Sequence, residues 1–97
     1  MLRFEWDPAK NESNRKKHSI DFEAAQNVFD DPLHIAFIDA VIDNEQRWIA
    51  IGSIEGVITV VVVHTYRQDG SDEVIRIISA RPATSHERKL YVQALHP

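Results

Sequence analysis

Val57-Ile58-Thr59-Val60-Val61-Val62-Val63-His64-Thr65-Tyr66, then Gln68-Asp69-Gly70-Ser71-Asp72, then Val74-Ile75-Arg76-Ile77-Ile78-Ser79-Ala80 read as two strands joined by a turn. β-Branched residues fill both runs, and turn-forming residues fill the gap between them. So short a connection forces antiparallel pairing, because a parallel crossover needs about a dozen residues or more. If Tyr66 pairs with Val74, counting back along the hairpin puts His64 opposite Arg76. A slip of two residues leaves them diagonal neighbours on one face, and a slip of one separates them. Alternation also puts Arg76, Ile78 and Ala80 on one face and Ile77, Ser79 and Arg81 on the other, unless a bulge or the strand end re-aims one arginine.

Working outward, His34 to Ala40 and Arg47 to Gly52 are also rich in Ile, Val and aromatics and read as strands, with Ile54-Glu55-Gly56 as a turn. Before them, Asp7-Pro8 is an N-cap followed by proline at the first helical position, starting a polar helix that runs to about His18. Asp21 caps a second helix to about Phe29, with Phe22, Ala25, Val28 and Phe29 on one side. Asp30-Asp31-Pro32 ends it. Phe4 and Trp6 alternate with charges, as in a short first strand. At the other end Thr84-x-x-Glu87 is a capping box that opens a helix to about Leu95. The order is β-α-α-β-β-β-β-α. The expected fold is α+β, an antiparallel sheet with the helices packed on one face, in a single domain spanning residues 1–97.

Composition narrows the function. The 97 residues carry a net charge of −4 and no cysteine. Disulfides and thiolate chemistry are therefore unavailable, and bulk electrostatic coating of nucleic acid is disfavoured. No apolar stretch is long enough to span a bilayer, and the first residues lack a signal-peptide block, so the expectation is a cytoplasmic protein with no membrane association. The charge is segmented. Lys10, Arg15, Lys16 and Lys17 stand against Glu12; residues 21–45 hold seven acids and no Lys or Arg; Arg76, Arg81, Arg88 and Lys89 stand against Glu87. A local anion site is compatible with that layout, as is a set of ordinary solvated faces.

Arginine is costly in a strand that also supplies core residues, and the guanidinium fork matches phosphate oxygens. In the last helix Glu87 and Tyr91, and Arg88 and Tyr91, project together, and its N-terminus favours anions. His64, Arg76, Arg81, Arg88 and Tyr91 are thus placed to converge on one phosphate. The alternative has Arg76 and Arg88 paired to Glu73 or Glu87, Tyr91 plugging the core, and His64 as a satisfied strand residue. His18 at a helix C-terminus reads first as a cap. Trp6, Trp48 and Tyr66 could stack on bases, though such residues are more often core or interface. No HExxH, acidic loop or close histidine spacing points to a metal, and no Gly-rich loop points to a nucleoside triphosphate, so neither metal nor cofactor is expected.

Phe4-Glu5-Trp6-Asp7-x-x-Lys10-x-x-x-Asn14-x-x-Lys17-His18, Phe22-Glu23-x-Ala25, Val28-Phe29-x-Asp31-Pro32, Arg47-Trp48-Ile49-x-Ile51-Gly52 and Arg76-Ile77-Ile78-Ser79-Ala80-Arg81-x-Ala83-x-x-x-Glu87-Arg88-x-x-Tyr91 together resemble the BrnT toxins. The resemblance runs in order over nearly the whole chain. It departs at Ser19, where the family usually has glycine after the Lys-His pair. It implies a RelE-like fold and a type II toxin that cuts RNA, inhibits translation and growth, and is neutralised by a cognate BrnA-like antitoxin in a hetero-oligomer. Operator DNA would be met only through the antitoxin. The implied functional residues are Arg76, Ser79, Arg81, Glu87, Arg88 and Tyr91, with His64 in the preceding strand.

The expected chemistry is metal-independent endoribonuclease cleavage, mRNA interferase-like, with attack of a ribose 2′-OH on the adjacent phosphorus. Arg76 and Arg81 would stabilise the developing charge, and His64 would move the proton with Glu87 or Tyr91 as partner. Ser79, Arg88, Lys17 and His18 would contact RNA. The competing readings are a non-catalytic RNA- or protein-binding module using the same basic surface, and an oligomer subunit paired through Val57 to Val63.

Overall fold

A computed structural model describes residues 1–96. Strand β1 (Leu2–Glu5) leads into helix α1 (Pro8–His18), whose N-cap Asp7 accepts from the Ala9 N–H at 2.8 Å. Helix α2 (Phe22–Ala25) is capped by Asp21 and continues as a 3-10 segment over Gln26–Asp30. Strands β2 (Ile35–Ile42), β3 (Glu45–Ile54), β4 (Ile58–Asp69) and β5 (Asp72–Pro82) follow, then helix α3 (Ser85–Leu95) behind the expected Thr84/Glu87 capping box. Asp43 and Asn44 link β2 to β3, both at positive φ (52° and 64°), and so turn the chain in the hand that matches strand twist.

The strands form one five-stranded sheet in the order β1-β5-β4-β3-β2. Two expectations need correction. The sheet is mixed, because β1 runs parallel to β5, with Phe4 beside Ile75 and Glu5 beside Arg76. Parallel pairing is open to β1 because the whole of α1 to β4 lies between it and β5. The helices also occupy both faces. Phe22, Ala25 and Val28 pack on Ala50, Val60, Val62, Ile75, Ile77 and Ala80, whereas Tyr91 and Ala83 pack on Ile49, Ile51 and Val61. Successive strand residues point to opposite sides, so the second cluster lies on the far face under α3. The uninterrupted Val60-Val61-Val62-Val63 run is what a strand covered on both sides needs.

Two local contacts fix the layers. Val28 crosses β3 at Gly52, where a Cβ would stand 2.9 Å from Val28 Cγ1 and 3.0 Å from His34 Cβ, so only glycine fits. Buried Asn14 on α1 treats β5 as a neighbouring strand would. Its Nδ2 donates to the Ala80 carbonyl at 2.8 Å, and its Oδ1 accepts from the Ala80 N–H at 3.1 Å. Beyond the end of β1, this side chain satisfies β5 backbone groups that would otherwise lack partners.

Candidate functional site

The register of the β4–β5 hairpin decides which arginines meet. Tyr66 pairs with Ile75, Thr65 with Arg76 and His64 with Ile77, whereas Val63 pairs with Ser79. Ile78 is therefore an extra residue, a bulge that reverses the alternation beyond it. Arg76, Ser79 and Arg81 consequently share the α3 face, opposite Thr65, Val63 and Val61 in turn. The expected juxtaposition of His64 with Arg76 does not occur. The pairing is shifted by one residue, which turns His64 to the α1/α2 face.

On the α3 face, helix α3 covers only the end of the sheet that carries Ile51, Val61 and Ala83. The remainder is lined with charge. Glu5 on β1 accepts both arms of the Arg67 guanidinium and lies 3.6 Å from Arg76 Nη1. The Arg67 hydrogen bond lowers the Glu5 pKa against the opposing effect of burial, with further attraction from Arg67 and Arg76. Arg47, two residues before Ile49 on β3, points to the same face, and its Nε is buried without a hydrogen-bond partner. Arg81 makes a double hydrogen bond to Glu87, at 2.7 and 2.8 Å. That fork, with the Thr84 N–H and hydroxyl, outweighs desolvation and brings the Glu87 carboxyl down to about 2. Arg81 is thus engaged, whereas Arg67 and Arg76 share one carboxylate between two cations.

The other expected site residues lie elsewhere. Tyr91 is buried, and its hydroxyl donates to Asp31 Oδ2 at 2.6 Å, which with burial pushes its pKa up to about 12. Asp31 also accepts from the backbone N–H groups of Ser53 and Leu33. Burial alone would raise its pKa, but these three bonds lower it on balance. Arg88 donates to the Ala83 carbonyl at 2.8 Å and to Ser85 Oγ at 3.0 Å, and with Tyr91 lines a cleft beside Asp31 and Ser53. Lys17, His18 and Ser79 border a shallow hollow where α1 meets the edge of β5. His64 is buried, with its ring edge-on to Phe29 at 4.9 Å and its Nδ1 3.2 Å from the Val62 carbonyl. Burial lowers its pKa and outweighs the opposing effect of the Val62 bond.

Among the described residues, no cluster of three or more His, Asp or Glu side chains is arranged to hold a metal ion, and no helix is long and apolar enough to cross a membrane. What the geometry does provide is an uncovered sheet face with arginines from three strands and one shared carboxylate. Such a surface binds anions with spaced charges, and a phosphodiester backbone is one.

Residues 6–87 match the family described as ribonuclease toxin, BrnT, of type II toxin-antitoxin system. The chain belongs to the BrnT toxin family. It is also similar to the ribonuclease toxin BrnT of Brucella abortus, whose crystal structure at 1.1 Å it matches with a TM-score of 0.59 and 25% identity. That match covers 88% of this chain and 100% of the Brucella chain. No curated protein matches significantly in sequence. BrnT membership makes this a type II toxin of a ribonuclease family, with an antitoxin implied as partner. Glu5, Arg47 and Arg67 were not singled out as site residues in the sequence. The available signal was alternation, which puts Arg67 on the same strand face as Thr65, but the pairing that brings Glu5 there spans 62 residues.

Proposed function

We propose that this BrnT protein is a metal-independent endoribonuclease that cuts RNA on the arginine-lined α3 face. The observation that carries this reading is the β4–β5 register, which sets Arg67 and Arg76 on one face, with the Ile78 bulge bringing Arg81 to the same side. A scissile phosphate between Arg67 and Arg76 would compete with Glu5 for their N–H groups. Glu5, ionised at neutral pH, then accepts the proton of the ribose 2′-OH as its oxygen attacks phosphorus. The P–O5′ bond breaks, leaving a 2′,3′-cyclic phosphate and a 5′-oxygen that is protonated from solvent on the open face. The two guanidinium groups stabilise the charge that builds on the phosphoryl oxygens.

Glu5 takes the role first assigned to His64 because it is the carboxylate in contact with both forks. Arg81, held by Glu87, extends the anion track. Ser79, Lys17, His18 and Arg88 contact flanking nucleotides, while Tyr91 holds α3 to the 3-10 segment through Asp31. In the cell, a RelE-like mRNA interferase of this kind would inhibit translation in the cytoplasm and be held in check by a BrnA-like antitoxin. Operator DNA would be contacted by the antitoxin and not by this chain.

Cleavage of a labelled RNA by the wild type, by Arg67→Ala/Arg76→Ala and by Glu5→Gln, each with chelator present, tests the mechanism. The expected result is loss of activity by about a hundredfold or more in both variants, with no effect of chelator on the wild type. Equal cleavage by all three proteins would end the assignment. The second reading is a binding module without catalysis, supported by the carboxylate partners the arginines already have; it predicts RNA protection without cutting.

A further inference from the structure

Strand β2 forms the longer free edge of the sheet. Edge β1 has four residues and carries Arg3 and Glu5, whereas β2 has eight and contains no Lys, Arg or Pro. Along it Phe37, Ile38, Val41 and Ile42 are exposed by 40%, 47%, 62% and 47%. Long apolar edges are templates for strand addition and are ordinarily blunted by lysine, proline or a covering element. Here Asp39, at the irregularity between Ile38 and Ala40, is the only charge within the strand.

A pocket of about 280 Å³ opens beside this edge on the α1/α2 face. Ala36 of β2 forms one wall, and Phe29, His34, Trp48, His64 and Tyr66 form others. Ile38 pairs with Trp48 and continues the same apolar surface. A strand laid along β2 at the sheet spacing of about 4.8 Å would set alternate side chains beside Ala36 and Ile38, within reach of the pocket.

Charge selects the occupant. Asp39 lies within β2, Asp43 and Glu45 stand at the turn that ends it, and Asp30 precedes it, while residues 21–46 hold no Lys or Arg; Arg47, opposite Ala40 on β3, offsets Glu45 at 3.8 Å. A second copy of this chain would bring the same acids, and two-fold antiparallel pairing about the middle of β2 would bring the two Asp39 residues close together. We propose that β2 and its aromatic pocket receive a basic, strand-forming segment of the antitoxin, which seats an aliphatic or aromatic side chain in the pocket. This rests on the toxin–antitoxin reading and adds to it an anchoring surface separate from the arginine face.

The test titrates the purified product of the neighbouring open reading frame into wild type, Ile38→Lys/Val41→Lys and Asp39→Lys by calorimetry. RNA cleavage is measured in parallel on the same preparations. The expected result is binding weakened at least about thirtyfold in the double variant, with its cleavage unchanged, and binding weakened measurably in Asp39→Lys. Added salt should weaken the wild-type complex. Unchanged affinity in the double variant overturns the proposal, as does absence of binding by a wild type that cuts RNA. A wild-type dimer that the double variant dissociates overturns it in favour of a second copy. A wild type that neither cuts RNA nor binds the product fails the toxin reading itself.

Discussion

Arg76 and Arg81 stand five residues apart on β5 and nevertheless point to the same face of the sheet, because Ile78 is an extra residue opposite the Val63–His64 step. An uninterrupted strand would have sent the two side chains to opposite faces. Between the turn and the bulge the pairing is regular, and its register, with Thr65 opposite Arg76, already turns His64 to the other face. One inserted position thus brings Arg81 to the surface that Arg76 and Arg67 occupy, while the register set at the turn removes His64 from it.

Arg76→Ala is expected to reduce RNA cleavage by about a hundredfold while leaving the melting temperature close to that of the wild type. Its contact with Glu5 is a partly exposed ion pair, and such pairs add little to stability. Comparing kcat with KM assigns the loss. A fall mainly in kcat points to charge stabilisation in the transition state, and a rise mainly in KM points to ground-state binding.

His64 and Glu87 contribute to the acid limb of stability in two separate steps. Burial lowers the His64 pKa below the ordinary 6.5, so the unfolded chain binds that proton first. Its contribution is full above about pH 6.5 and declines as pH falls through that value toward the lower folded pKa. Glu87 falls from 4.5 to about 2 through Arg81, so its contribution is full above the unfolded value and is lost between there and about pH 2. Urea denaturation of His64→Leu should show a flatter profile between about pH 8 and pH 5.5 than the wild type. Its RNA cleavage near neutral pH should stay within about threefold, since Arg67 and Arg76 lie on the other face. A large loss of cleavage in a folded His64→Leu would restore the histidine to the chemistry.

Asn14→Ala should destabilise the fold by about 2 to 4 kcal/mol. It leaves the buried N–H and C=O of Ala80, and the Ile20 carbonyl, without the partners that Asn14 supplies. Hydrogen exchange offers a local check: the Ala80 amide should lose protection more than the amides of β3.

Ser19 occupies the left-handed region (φ 60°, ψ 25°) at the C-terminus of α1, where the Ser19 N–H bonds to the Arg15 carbonyl at 2.8 Å. Glycine adopts that conformation without a Cβ penalty. Ser19→Gly should therefore raise stability by about 0.5 to 1 kcal/mol, read as a higher urea midpoint at constant m.

Tyr91→Phe should cost about 1 to 3 kcal/mol, because Asp31 keeps its two backbone donors and loses its only side-chain one. RNA cleavage by the folded variant should be retained, since Tyr91 holds α3 in place and its hydroxyl faces Asp31.

The sequence was most legible where structure is local. Asp7, Asp21 and the Thr84/Glu87 box each start a helix within a residue of where capping chemistry puts it, because a cap involves side chain and backbone only a few positions apart. The nonlocal features were harder to read. Leu2 to Glu5 carries no mark of its parallel pairing with β5, which is made across some seventy residues. The side on which α3 packs was encoded in the unbroken valines 60–63, a run that half-buried alternation would not produce. The bulge left no trace, since Ile77-Ile78 reads as ordinary strand. The turn register was equally silent, so counting from Tyr66 opposite Val74 misplaced Arg76 relative to His64 by one residue, and Glu5 was invisible as a site residue because Arg67 and Arg76 reach it only through the finished sheet.

Asn14 has a consequence for assembly. It occupies the rim of β5 beyond the reach of β1, and β1 itself offers a rim of four residues bearing Arg3 and Glu5. Filaments built by sheet extension need a donor rim and an acceptor rim on every copy. This molecule has one extended rim and one that is short, charged and partly capped by Asn14, an asymmetry that favours discrete particles over fibres.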